Sequence, residues 1–186
     1  MRDDIDFKEV AQKLKKGDID LIYASDSLRT KQTAEIVAEK LGVEINYDKR
    51  LRDTNLGEFH GKKKEEYYKA LPKIIDRFKE APQNGESWNE VRRRVWDTIL
   101  EIEKENEDKN ILIVSHANPL WLLKGALKGL LNKEMVDKEE MEKIDYIKPG
   151  ELNGPFEFTR FPYNREGELD FHRPFIDRIK FECPEC

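Results

Sequence analysis

The stretch Ile19-Asp20-Leu21-Ile22-Tyr23-Ala24-Ser25-Asp26-Ser27-Leu28-Arg29-Thr30-Lys31-Gln32-Thr33-Ala34 decides the fold class. Its first part is a short apolar run, Ile19 to Ala24, that stops at a polar turn and leads into a helical pattern over about Leu28 to Leu41. Gly42 follows as a C-terminal stop, since glycine takes the left-handed conformation that ends many helices. Ile111 to Val114 (I-L-I-V) repeats the arrangement, leading into a helix over about Leu120 to Leu131. Apolar runs of this kind, bounded by turns and followed by helices, read as buried parallel strands.

Between the two strands lie further amphipathic segments. Lys64 to Glu80 places Tyr67, Leu71, Ile74, Ile75 and Phe78 on one helical face. Trp88 to about Glu105 spaces Val91, Val95, Ile99 and Ile102 at helical intervals, and Ser87 with Glu90 forms an S-x-x-E capping box at its start. A short helix over Phe7 to Lys15 precedes the first strand. The order predicts an α/β fold, a three-layer parallel sheet with helices on both faces. Near Gly150 the helical period ends. We therefore divide the chain into 1–150, the α/β unit, and 151–186, an irregular β-rich tail that includes a strand over Arg178 to Glu182.

Composition narrows the function classes. Charged residues make up 39% and hydrophobic residues 38% of the 186-residue chain, but the apolar positions are periodic, which excludes disorder. A net charge of -5 argues against a nucleic-acid binder, which carries a basic stripe. Lys62, Lys63 and Lys64 are followed at once by Glu65 and Glu66, the pattern of a solvated helix face. No apolar stretch approaches the roughly 18 residues of a membrane span, and Met1 to Phe7 has no apolar signal core. The expectation is a cytoplasmic protein with no membrane partner. Cys183 and Cys186, in C-P-E-C at the C-terminal end, exclude a disulfide framework and supply half of a zinc knuckle.

Open α/β sheets bind ligands beyond the carboxyl ends of their strands, and two residues there draw notice. Arg29 lies in the first helical turn after the first strand. A guanidinium beside unpaired helix N–H groups suits a phosphate, although a plain surface arginine fits the spacing equally well. His116, in Val114-Ser115-His116-Ala117-Asn118-Pro119, falls at the same sheet edge. A lone histidine is usually structural; its place beside Arg29 favours a site.

These segments carry a resemblance. S-D-S-L-R-T-K-Q-T-A is similar to the S-D-L-x-R-T-x-Q-T-A signature of the histidine phosphatase (phosphoglycerate-mutase-like) superfamily. Leu51-Arg52-Asp53-Thr54-Asn55-Leu56-Gly57-Glu58-Phe59-His60-Gly61 resembles its L-x-E-x-x-x-G-x-x-x-G block, Gly85-Glu86-Ser87 its G-E-S, and V-S-H-A-N its second-histidine motif. The matches stand in family order over residues 18–120. The resemblance implies phosphoryl transfer through a phosphohistidine, by a phosphomonoesterase or phosphomutase acting on a phosphorylated small molecule without a cofactor. It assigns Arg29 and His116 to phosphate binding, His116 also to catalysis, and Asp53 to the proton donor, where the family usually has the longer Glu. Glu58 is the fallback donor. Gly85, Glu86 and Ser87 are accounted for by the helix start and receive no catalytic role.

The family's opening R-H-G strand, source of the nucleophile, has no counterpart, since no histidine precedes Ile19. His60 reads as a surface residue near the donor block. In the tail, Glu168-Leu169-Asp170-Phe171-His172-Arg173-Pro174-Phe175-Ile176-Asp177, with C-P-E-C after it, resembles a segment of isoleucyl-tRNA synthetases. The two resemblances together imply a phosphatase-like module inserted in or fused to an isoleucine-tRNA ligase and cut at both ends, not competent alone for either reaction. ATP and tRNA would then belong to the parent chain. A stand-alone small phosphatase or mutase with an omitted N-terminus, and a phosphate-binding pseudo-enzyme, are the alternatives.

Overall fold

A computed structural model describes Leu14, residues 17–136 and Leu152. The expected helix from Phe7 to Lys15 (Leu14 apart), the boundary at Gly150 and the tail with its Arg178–Glu182 strand and C-P-E-C pair lie outside the described residues. Three parallel strands, β1 (Leu21–Ala24), β2 (Glu44–Tyr47) and β3 (Ile111–Val114), pair in the order β2-β1-β3. In register, Leu21 stands between Glu44 and Ile111, and Ala24 between Tyr47 and Val114. The helices are α1 (Leu28–Leu41), α2 (Lys64–Ala70), α3 (Trp88–Glu105), α4 (Ala117–Leu127) and α5 (Asn132–Val136).

The period-two alternation of strands sorts the core into two layers. Ile22 and Ala24, with Leu112 and Val114, pack against Ala34, Val37, Ala38 and Leu41 of α1. Tyr23, with Ile111 and Ile113, faces the opposite cluster, built from Val91, Val95, Ile99 and Ile102 of α3 and Trp121, Leu122 and Ala126 of α4. Helices therefore cover both faces, as the sequence predicts. Trp88 meets Phe78 and Trp121 edge-on in the larger cluster, with ring centroids 5.1 Å and 5.3 Å away.

α1 keeps its expected bounds and ends at Gly42 with φ 72°. The Ser87–Glu90 capping box forms in both directions. Three elements differ from expectation. The helix expected over Lys64 to Glu80 breaks after Ala70 and resumes as a 3₁₀ turn, Ile74–Phe78. Pro72 offers no N–H and forces Leu71 out of the helical region. Tyr67 and Phe78 are buried as expected, but Ile74 and Ile75 are 37% and 36% exposed, because the break turns them off the shared face. α4 begins at Ala117, earlier than Leu120, since Pro119 fits a first turn. It ends in a Schellman turn, with Leu130 N–H donating to Gly125 O and Gly129 N–H to Ala126 O. β2 was not anticipated. Its E-I-N-Y is mostly exposed, and an outer strand next to one neighbour carries little apolar pattern.

β3 pairs with β1 on one side. Although all four of its residues are apolar, each remains only partly buried.

Candidate functional site

The helix following β1 packs on one face of the sheet and the helix following β3 on the other. Where neighbouring strands send their helices to opposite faces, a crevice opens at their carboxyl ends. Ser25 and His116 stand in it, one on each loop. The backbone stitches the strand ends together, Ser25 N–H donating to Val114 O and Asp48 N–H to Ala24 O. Ser115 Oγ, at the end of β3, donates to Leu51 O over 2.7 Å, which brings the Asp53 loop to the same mouth.

Three residues expected in the site are in direct contact. Arg29 Nε donates to His116 Nδ1 over 3.0 Å, and Arg29 Nη2 lies 2.6 Å from the same nitrogen. Arg29 Nη2 also donates to Asp53 Oδ2 at 2.8 Å. The Asp53 carboxylate lies 3.9 Å from His116 Nδ1. Glu58 does not join them: it is the exposed residue of the 3₁₀ turn Gly57–Phe59, its backbone N–H donating to Gln83 O. His60 is exposed on the same loop.

His116 is 4% exposed and stands at the N-cap position of α4, its ring making no capping hydrogen bond. Burial drives its pKa down to about 4, Asp53 opposing and Arg29 and Arg94 reinforcing the fall. The imidazole is therefore neutral at pH 7. Arginine cannot accept a hydrogen bond, so Nδ1 carries the lone pair and Nε2 the proton. Nε2–H then donates to Ser25 Oγ, 2.9 Å away. Ser25, His116 and Asp53 are the residue types of a hydrolytic triad, but the proton sits on the wrong nitrogen for His116 to deprotonate Ser25. Ser25 is also fully buried. It orients the ring instead, a role with no signal in the sequence before its partner across the sheet is known.

A second set of residues missed by sequence reasoning surrounds the Asp53 loop. Arg52 Nε and Nη2 donate to the two Asp26 carboxylate oxygens at 2.5 and 2.6 Å, which ties the loop to the turn after β1. Glu86 receives Arg94 Nε and Nη2 at 2.7 and 2.8 Å and the Asn55 N–H at 3.0 Å. The available signal was Glu86 in G-E-S, followed by an arginine two helical turns on. Among the described residues no group of three or more metal-ligating side chains occurs, and no helix is long and apolar enough to cross a membrane.

The model of the histidine phosphatase superfamily (branch 1) matches residues 5–144. The chain belongs to the histidine phosphatase superfamily. Among curated members, it is 31% identical over 128 residues to phosphoserine phosphatase 1 of Hydrogenobacter thermophilus, covering 66% of this chain and 61% of that one. It is 28% identical over 145 residues to phosphoglycerate mutase-like protein 4 of Arabidopsis thaliana, covering 74% and 60%. The chain thus spans about three-fifths of the length of these relatives. Among solved members, Bacillus stearothermophilus YhfR superposes with a TM-score of 0.66 at 27% identity, over 90% of this chain and 83% of that one. A mycobacterial glucosyl-3-phosphoglycerate phosphatase gives 0.59 at 26%, over 68% and 65%. The histidine phosphatase fold therefore holds Arg29, Asp53 and His116 together at the crevice.

Proposed function

We propose that this histidine phosphatase domain supplies the phosphate-holding half of a phosphomonoesterase or phosphomutase site, for a phosphorylated small molecule. The observation that carries the reading is Arg29, fixed in the first turn of α1 with its guanidinium against His116 and Asp53. A phosphoryl dianion arriving at Arg29 displaces the Asp53 carboxylate and meets the helix N–H groups, a cationic and preorganised seat. The released Asp53 faces the leaving oxygen, and once protonated it donates there. No cofactor is required, because phosphoryl transfer of this kind rests on positioning and charge.

In this proposal the nucleophilic histidine arrives on a further strand that pairs with β3 on the side away from β1, where β3 has no partner among the described residues and its partly buried apolar residues favour such a neighbour. The chain by itself then transfers no phosphate. The tail's resemblance to isoleucyl-tRNA synthetases supports a cytoplasmic parent that fuses the module to an isoleucine-tRNA ligase, to which ATP and tRNA would belong.

Titration with inorganic phosphate tests the pocket. We expect Arg29→Ala to weaken binding at least about tenfold, the scale of one charge-assisted hydrogen bond. Equal affinity in the variant removes the proposal. Turnover of p-nitrophenyl phosphate once an N-terminal R-H-G segment is restored to an otherwise unfused chain, lost on His116→Ala, instead supports the stand-alone phosphatase.

A further inference from the structure

Glu86 and Arg94 lie outside the Arg29–Asp53–His116 group, yet they hold the loop that carries Asp53 on both of its flanks. Before Asp53, Arg94 Nη1 donates to the carbonyls of Arg50 and, at 3.2 Å, of Arg52. After it, Glu86 Oε2 accepts the Asn55 N–H at 3.0 Å, and Glu86 N–H donates to Asn55 O at 2.8 Å. A bidentate ion pair, with both side chains about one-fifth exposed, joins the two anchors. The start of α3 does not need Glu86, because Ser87 and Glu90 satisfy each other in the capping box. A guanidinium and a carboxylate that together hold three backbone groups around one acidic residue, with a fourth held by the Glu86 N–H, fix that residue's place more tightly than a helix start requires.

We infer that Glu86 and Arg94 are positioning residues that hold Asp53 against Arg29. The inference rests on the reading of Asp53 as the acidic group of the phosphoryl site, and it concerns the site before any ligand enters.

Hydrogen exchange of the Arg29 guanidinium protons, followed by NMR in the ligand-free chain, tests it. Arg94→Lys keeps the charge and loses the fork; Glu86→Gln keeps the shape and loses the ion pair. Each should speed exchange at Arg29 about tenfold, the worth of one hydrogen bond, and match Asp53→Asn. In the Asp53→Asn background neither should add anything. The Ile22 amide, fully buried in β1, should keep its rate. Unchanged exchange at Arg29, a further increase in the double variants, or an equal rise at Ile22 each overturns the inference. Because this readout needs no ligand, its failure is distinct from a failure of phosphate to bind.

Discussion

His116 carries the pH behaviour of the folded chain. Burial first, and the Arg29 and Arg94 charges after it, hold its pKa near 4 against the pull of Asp53 and Asp26. In the unfolded chain an imidazole takes its proton at about 6.5. Between those values the unfolded state binds more protons than the native one, so stability falls as pH drops from about 6.5 to about 4 and levels off below. The shift amounts to about 3 kcal/mol across that window. Denaturant unfolding from pH 7 to pH 4 should show this loss, and His116→Gln should remove it; an equal slope in the variant refutes the assignment. Arg29 and His116 were legible in the sequence because each lies where a helix begins beyond the carboxyl end of a strand. Ser25 was not, because a serine in a turn is ordinary until its partner across the sheet is known.

At the level of elements, two motifs separated in the chain interlock as backbone. Gly57 has φ 52°, and a Cβ there would lie 2.0 Å from Gln83 O and 2.6 Å from Gly85 N; at Gly85 it would lie 2.7 Å from Asn55 O. Backbone atoms cannot step aside as a side chain can. Gly57→Ala should therefore cost about 2 kcal/mol or more and displace the Asp53 loop. Gly61, with φ 78° but open space around it, should lose only the roughly 1 kcal/mol of left-handed backbone on changing to alanine. Thermal melts of the two variants check the contrast, and equal losses exclude the interlock. The long periodic helices α1 and α3 were readable because their apolar spacing runs unbroken. α2 was misread because the pattern continues through Pro72 while the backbone does not. The Gly57–Gly85 contact leaves no trace in local periodicity.

For the whole molecule, the sheet order β2-β1-β3 among the described residues leaves β1 paired on both sides and β3 on one. Backbone groups without a partner exchange freely with water. Amides of β3 that face away from β1 should exchange at least about a hundredfold faster than those of Ile22 and Tyr23, since opening a core strand costs near the global free energy. A longer chain that supplies the proposed strand should slow them, and uniform protection across β3 in the chain alone excludes an open edge. The two-layer core could be foreseen from the unbroken apolar runs of β1 and β3, which suit strands covered on both faces; the half-buried state of β3 depends on its neighbours and could not.

The site also has a history within each molecule. Ser25 and His116 meet across a separation of 91 residues, so a chain emerging from the ribosome carries Arg29 and Asp53 long before their histidine is made. Distant pairings of this sort form slowly, because loop closure precedes the contacts that reward it. The cluster can close only when β3 docks beside β1. Completion of the pocket is therefore a late step of folding, and it reports that the two halves of the sheet have met in register.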